Sequence, residues 1–185
     1  MPIVAGTRNQ LFQPLYDTIS MAAAAVSGTF FAVPYGGILT GTTAKTYADT
    51  NIVQAGRLER DTSFTLTAIS LFVRETATRA TAADIRNLNM GSFDLSLGGV
   101  SFLKLPIACI PNGGAELELV SNITAAATEY QLNKGVSAFG NKLMLEMPLE
   151  ILEQETVQVT VANFTLVAAV VATCVLWGVM KRPVR

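Results

Sequence analysis

The sequence predicts an all-β fold, an antiparallel sandwich or barrel formed by a single domain. About eight or nine short strand-like runs follow one another with one helix-like run among them, and strands do not alternate with helices. Paired glycines at 36–37, 98–99 and 113–114 separate several of these runs, as turns do. The 185 residues suffice for one full core and are few for two.

The predicted strands share β-branched or alternating apolar residues bounded by glycine, proline or asparagine. They span residues 26–34, 38–43, 62–73, 92–97, 100–105, 115–120, 141–151, 156–163 and 170–180. Gly98 and Gly99 predict a two-residue hairpin turn. Pro148 lacks an N–H for the ladder, so it predicts a sheet edge or a bulge. Residues 121–141 are predicted to be a long connection.

One helix is predicted over residues 81–90. Thr81 is the expected N-cap, Asp84 follows three positions later, and Gly91 ends the helix. Its apolar positions lie three residues apart, so the helix can pack one narrow apolar face against a sheet.

Residues 1–20 are irregular in pattern and are predicted to form an extended amino-terminal arm ahead of a domain at residues 21–185. Leu11, Phe12 and Tyr16 would be poorly solvated on a free arm. A hypothesis is that they clasp a neighbouring subunit.

The tail admits two interpretations. Residues 164–180 carry no charge and are followed by Lys181 and Arg182, an outline typical of a membrane anchor. A helix of that length spans roughly 25 Å, however, at or below the short end for a bilayer core. Its many valines favour a pleated, buried surface. We therefore predict a core strand and keep a tail-anchored membrane protein as the alternative.

The composition indicates a chain that covers part of its surface with other copies or partners. Hydrophobic residues make up 50% and charged residues 15%, against about 25% charged in typical domains. The mean hydropathy is +0.41. Because the net charge is −1 and the basic residues are spread out, strong direct binding to nucleic acid is not expected.

The sequence contains few of the residue patterns that are typical of catalytic or metal-binding sites. The chain has no histidine, the usual general base and transition-metal ligand. The glutamates at 146, 150, 153 and 155 lack the dense loop of a calcium site and are expected to be solvated or to contact a subunit. Cys109 and Cys174 stand in apolar contexts and are expected to be reduced core thiols. The sequence thus predicts no enzyme, no cofactor, no metal site and no small-molecule substrate.

Two charged groups are candidate contact sites. Arg57, Arg60 and Asp61 belong to a run of mixed sign that could pair with another subunit. The basic tail could touch phosphate groups of lipid or of a genome. Its candidate residues are Lys181, Arg182 and Arg185.

Three segments carry a resemblance to a known family. They are NIVQAGRLERDTSFTLTAISLFV at 51–73, NKLMLEMPLEILEQETVQVTV at 141–161 and CVLWGVMKRPV at 174–184. Together they resemble the single jelly-roll capsid proteins of icosahedral DNA viruses, especially phages and archaeal viruses with an internal membrane. The likeness covers about half of the chain. It lies in the general pattern of these segments more than in an invariant motif.

This resemblance implies a single eight-stranded antiparallel jelly-roll sandwich and a structural role in the virion. The expected partners are copies of the chain in pentameric or hexameric capsomers, other capsid proteins and an internal viral membrane. The chain departs from the coats of small RNA viruses, because it lacks an Arg-rich arm. A carbohydrate-binding sandwich is a further alternative, since jelly rolls also occur among lectins.

Overall fold

The computed structural model describes residues 8–74, 82–110, 116–120, 129–133, 142–163 and 165–183. Within them the chain is mostly antiparallel β-sheet with one α-helix, so the all-β prediction is confirmed. The strands are β1 Arg8–Phe12, β2 Leu15–Met21, β3 Ser27–Phe30, β4 Ile38–Thr40, β5 Thr43–Ala44, β6 Ser63–Arg74, β7 Ser92–Leu97, β8 Val100–Pro106, β9 Glu116–Val120, β10 Glu129–Asn133, β11 Leu143–Ile151, β12 Val157–Ala162 and β13 Val170–Pro183. The helix α1 is Ala82–Asn89, and a 3-10 turn covers Ile107–Cys109.

Sheet A contains β1, β2, β13, β6 and β11. Both β1 and β2 pair antiparallel with β13, and β13 pairs with β6, which pairs with β11. The break between β1 and β2 falls at Gln13 and Pro14. A proline has no N–H to donate, which accounts for an interruption there. Together β1 and β2 form an interrupted edge strand along β13.

Sheet B has the strand order β3, β12, β7, β8, all antiparallel. The turn between β7 and β8 is Gly98–Gly99, with φ of 58° and 83°. Both residues are in the left-handed region that glycine adopts without a Cβ penalty. The predicted hairpin is confirmed.

The two sheets share one core. Buried side chains from sheet A, such as Leu66 and Leu176, belong to the same cluster as Phe93 and Val159 of sheet B. Burial alternates strictly along β7, as expected when only one face of a strand meets the core. The structure is therefore an antiparallel β-sandwich.

The helix closes one end of this sandwich. The buried carboxylate of Asp84 accepts the N–H groups of Val167 (2.6 Å) and Ala168 (3.2 Å), in the segment that joins β12 to β13. The predicted helix is confirmed for residues 82–89, while its predicted cap Thr81 lies outside the described residues. Asp84 stabilises a distant loop, a role that the local capping pattern does not reveal.

Several predictions differ from the structure in detail. The described part of the predicted arm is paired strand over residues 8–12 and 15–21, and its division from the domain at residue 20 stays a prediction. The strand predicted at 26–34 ends at Phe30. The described chain holds thirteen strands against the nine predicted, because β1 and β2 form in the predicted arm, the run at 38–43 divides into β4 and β5, and β10 forms within the predicted connection at 121–141.

The tail is a strand. Val170–Pro183 pairs with β6 on one side and with β1 and β2 on the other, so the strand interpretation is confirmed for residues 170–180. The alternative prediction, a helical anchor over residues 164–180, is not the structure observed, because residues 170–183 form a strand. Among the described residues, no helix has both the length and the apolar character needed to cross a membrane.

Candidate subunit interface

The outer face of sheet A, the face turned away from the core, mixes apolar and aromatic side chains with polar ones such as Ser70, Glu150 and Lys181. Along β13, Leu176 and Met180 point into the core, so Val175, Trp177 and Val179 lie on the outer face. Phe12 of β1 pairs with Val179, is 61% exposed, and stacks on Trp177 with ring centroids 6.5 Å apart. An aromatic pair thus lies on this outer face.

Trp177 is held in place by polar contacts around its ring. Its indole N–H donates to Ser70 Oγ at 2.8 Å, and Lys142 Nζ lies 3.6 Å from the ring centroid. The ammonium is attracted by the negative face of the indole. Met144, which pairs with Ala68 next to Trp177 in the sheet, is 61% exposed and adds an apolar side chain on β11.

Aromatic side chains continue from this face onto the neighbouring loop. Tyr16 of β2 pairs with Val175, and its hydroxyl donates to the carbonyl of Tyr47 at 2.5 Å. Tyr47 stacks on Tyr35 with centroids 4.2 Å apart, and both are exposed. Burial raises the pKa of Tyr16, and nearby Asp49 raises it further. We call Phe12, Tyr16, Tyr35, Tyr47 and Trp177 the aromatic band.

The outer face of sheet B is polar along β7 and β12, whereas β8 exposes Val100 and Phe102. On β12 and β7 the residues between core positions are Gln158, Thr160, Asp94 and Ser96. Ser101 of β8 donates to Asp94 Oδ1 at 2.7 Å. These groups can form hydrogen bonds with one another or with water, so this part of the face does not need to be buried against another protein.

Sheet A ends at β11 in a protruding bulge. Met144 pairs with Ala68 and Leu149 with Leu66, so residues 145–148 of β11 face Thr67 alone. The prediction of an edge or bulge at Pro148 is confirmed. The bulge presents Met147, which is 79% exposed, and we call Met147 and Pro148 the knob.

The opposite side of the sandwich carries a groove of about 250 Å³ between β2, β3 and β4, lined by apolar residues together with Ser20, Ser27 and Thr29. Its lining includes Ile19, Met21, Gly28, Val33, Ile38 and Leu39. Gly28 allows the close approach of the sheets there, since a Cβ at this position would lie 2.5 Å from Ile19 Cδ1. We call this the β2–β3 groove.

A buried ion pair anchors the loop that forms one wall of this groove. Asp17 of β2 and Lys45 are joined at 2.6 Å, with side chains 0% and 2% exposed. Lys45 also donates to the Val33 carbonyl, and Asp17 Oδ2 accepts the Phe31 N–H at 2.6 Å. Burial raises the pKa of the Asp17 carboxyl, and the bonds from Lys45 and Phe31 partly oppose that rise.

These contacts explain why β3 is shorter than predicted. Phe31 is fully buried with φ of 66°, a left-handed conformation that is rare for a bulky residue. The hydrogen bond from its N–H to Asp17, fourteen positions earlier, supports that conformation. Local sequence patterns carry no signal for such a bond, so Asp17 and Lys45 were missed as key residues.

The predicted charged candidates gather at one end of the sandwich. Arg57 and Arg182 line the same small cleft together with Glu59. Nothing in the sequence indicated that Arg182 lies near the other two residues. Arg60 and Asp61 are exposed, and the Asp61 N–H donates to a Glu153 carboxylate oxygen at 2.5 Å.

The rest of the basic tail and the cysteines are placed only in part. Lys181 lies 3.8 Å from Glu150, both partly exposed, a distance typical of a weak surface pair. Arg185 lies outside the described residues. Cys174 is a buried free thiol as predicted, but Cys109 is exposed, so its predicted core position is wrong. Within the described ranges, no three acidic or cysteine side chains converge as a metal site requires.

Comparisons with protein-family models, with curated proteins and with solved structures find no match to this chain.

Proposed function

We propose that the protein is a structural subunit that assembles with copies of itself into a closed shell, the coat subunit of an icosahedral virion. The observation that carries the proposal is the aromatic band on and beside the outer face of sheet A, in which Phe12, Tyr35 and Tyr47 are exposed. A monomer gains nothing from exposing the aromatic band, whereas aromatic residues are enriched at the buried centres of interfaces.

The strand pairing supports a jelly roll as the finer description of the fold. When the interrupted first strand is taken as one and the two small hairpins are set aside, eight strands remain in chain order. The first pairs with the eighth, the second with the seventh, the third with the sixth and the fourth with the fifth. That is the pattern of a long hairpin rolled into two facing sheets.

Charge supports assembly as well. A net charge of −1 creates little repulsion between copies, and near-neutral proteins associate readily. The cleft with Arg57, Arg182 and Glu59 offers both signs at one end of the sandwich. Paired charges at an interface rim set the orientation of subunits more than their affinity.

The test is negative-stain electron microscopy with mass analysis of the full-length chain in buffer without detergent. The proposal predicts uniform rings, sheets or shells of five or six copies and upward. Alanine at Arg57 and Arg60 should reduce assembly while the circular dichroism spectrum stays unchanged. A monodisperse monomer across the accessible concentrations would contradict the proposal.

A carbohydrate-binding sandwich is the second candidate, and the exposed stack of Tyr35 on Tyr47 favours it. Sugar rings pack on exposed aromatic faces, and this pair was not apparent from sequence. A glycan array with the wild type and Tyr47→Ala tests it: selective binding that the variant loses supports this function. Absence of binding by a folded wild-type chain rules it out.

A further inference from the structure

We infer that residues 45–52 form a strap that blocks the edge of β2 against pairing with a strand of another chain, and that the Asp17–Lys45 ion pair latches this strap. The inference goes beyond the proposed function. It concerns a contact within one chain, so it holds whether or not copies assemble into a shell.

The first argument is the position of the strap. Among the described strands, β13 alone pairs with β2, so the second side of β2 is an edge of sheet A. Such an edge presents main-chain N–H and C=O groups with which another strand can pair. An isolated antiparallel bridge joins Thr50 of the strap to Asp17 of β2. The strap therefore lies where the next strand of the sheet would be added.

The second argument is the hydrogen bonding of this edge. The Tyr16 N–H donates to Asn51 Oδ1 at 3.0 Å. The Tyr16 carbonyl accepts the Asn51 N–H at 3.3 Å and the Thr50 hydroxyl at 3.1 Å. Asn51 Nδ2 donates to the Pro14 carbonyl at 2.7 Å. The strap thus occupies main-chain groups that an added strand would need, and Asn51 makes three of the four bonds.

The third argument is the latch at the start of the strap. Lys45 Nζ lies 2.6 Å from Asp17 Oδ1 and donates to the Val33 carbonyl at 3.1 Å, and both charged side chains are buried. If the strap left β2 with Lys45, the Asp17 carboxylate would lose its cation, which is costly for a buried charge. The other end of the strap is fixed by Ile52, whose side chain is buried in the core.

The opposite edge of sheet A is blunted in another way. There β11 carries the bulge at residues 145–148, and Pro148 within it has no N–H for a further strand. Bulges, prolines and covering loops are means by which native proteins keep sheet edges from pairing. Protection of both β2 and β11 indicates that copies do not join by adding strands to sheet A at these two positions.

Hydrogen exchange followed by mass spectrometry, below the assembly concentration, tests the strap. Asn51→Ala removes the side-chain bonds to β2, so amides in residues 14–18 and 45–52 should exchange about tenfold faster than in the wild type. Amides of β7 and β12 should keep their rates. The matched control is Asn87→Ala, which also removes an asparagine bond to a main-chain carbonyl, that of Thr165, and should leave the strap unchanged. Wild-type exchange of the strap in Asn51→Ala would overturn the inference.

A second variant tests the latch without leaving a charge buried and unpaired. Asp17→Asn combined with Lys45→Met removes both charges and keeps an oxygen that can accept the Phe31 N–H. Exchange in residues 45–52 should again rise about tenfold, while β7 and β12 stay unchanged. This variant leaves Asn51 in place, so it carries the test if circular dichroism shows that Asn51→Ala does not fold. A strap that exchanges at the wild-type rate in the double variant would overturn the latch.

Strand pairing between chains is the final readout. At higher concentration, Asn51→Ala and the double variant should bind thioflavin T and show the infrared band of intermolecular antiparallel sheet. The wild type and Asn87→Ala should show neither, even if they assemble, because contacts between folded subunits add no strand at the edge of β2. Faster exchange of the strap without such pairing would overturn its blocking role. An intermolecular band in wild-type assemblies would overturn the inference and leave the proposed function standing.

Discussion

The two sheets of the sandwich bury their inner faces in the same core but differ on both sides. Sheet B is apolar inside, and the outer side of its strands β7 and β12 is polar, with Gln158, Thr160 and Asp94. Sheet A exposes Phe12 and Met144 among polar side chains outside and brings a charge, Asp17, to the inside. We propose from this difference that copies contact one another through the aromatic band of sheet A and not through the outer side of β7 and β12, and the following predictions test that contrast.

The largest effect is expected inside sheet A. Asp17→Ala leaves the Lys45 ammonium buried without its carboxylate, so we expect the free energy of unfolding to fall by about 3–5 kcal/mol. Asp17→Asn combined with Lys45→Met removes both charges at nearly the same volume, keeps an oxygen that can accept the Phe31 N–H, and should cost less. Chemical denaturation followed by circular dichroism measures both. Equal losses in the single and double variants would contradict the importance of the pair.

The next effect concerns assembly. Phe12→Asp places a charge on the exposed aromatic band and should raise the concentration needed for assembly roughly 100-fold, the order expected for a central interface aromatic. Gln158→Asp places the same charge on sheet B and should change nothing. Light scattering against concentration gives both values, and a comparable loss in the two variants would remove the distinction between the faces.

A smaller effect is expected from Trp177 within one copy. Trp177→Ala removes the stack on Phe12 and the hydrogen bond to Ser70, so stability should fall by about 2 kcal/mol. Trp177→Phe retains stacking and should cost about 1 kcal/mol. Thermal unfolding below the assembly concentration measures them, with Gln158→Ala as the sheet B control, expected within about 0.5 kcal/mol of wild type. If Trp177→Ala left the stability of the subunit unchanged, the ring would contribute nothing to that stability.

The smallest effect concerns the two thiols. Cys174 lies in the core of sheet A, where burial strongly raises the pKa of its thiol, while Cys109 is exposed after β8. One thiol per native chain should react quickly with a disulfide reagent and two after denaturation, because the thiolate is the nucleophile. Cys109→Ser should leave stability within about 0.5 kcal/mol of wild type. Rapid native reaction of that variant would show that Cys174 is accessible.

The sequence predicted what local patterns encode. The Gly98–Gly99 turn, the strand at 92–97 and the bulge at Pro148 follow from backbone chemistry within a few residues. The tail strand at 170–180 was predicted from its valines despite an anchor-like outline. In each case the determining atoms are close together in the chain.

What was missed depends on contacts between distant segments. The left-handed Phe31 is supported by Asp17, the Tyr35–Tyr47 stack joins residues twelve apart, and Arg57 and Arg182 line one cleft only after the sheet forms. The groove likewise exists only where β2, β3 and β4 come together. Strand periodicity predicts which faces are buried, but it carries no information on which loops meet.

The most direct test of the central claim is the mass of the full-length chain in solution as a function of concentration, by sedimentation velocity at neutral pH without detergent. We predict a concentration-dependent shift from the 19.7 kDa single chain to species of five or more copies. A sharp 19.7 kDa boundary that persists at every concentration would contradict assembly through the aromatic band of sheet A.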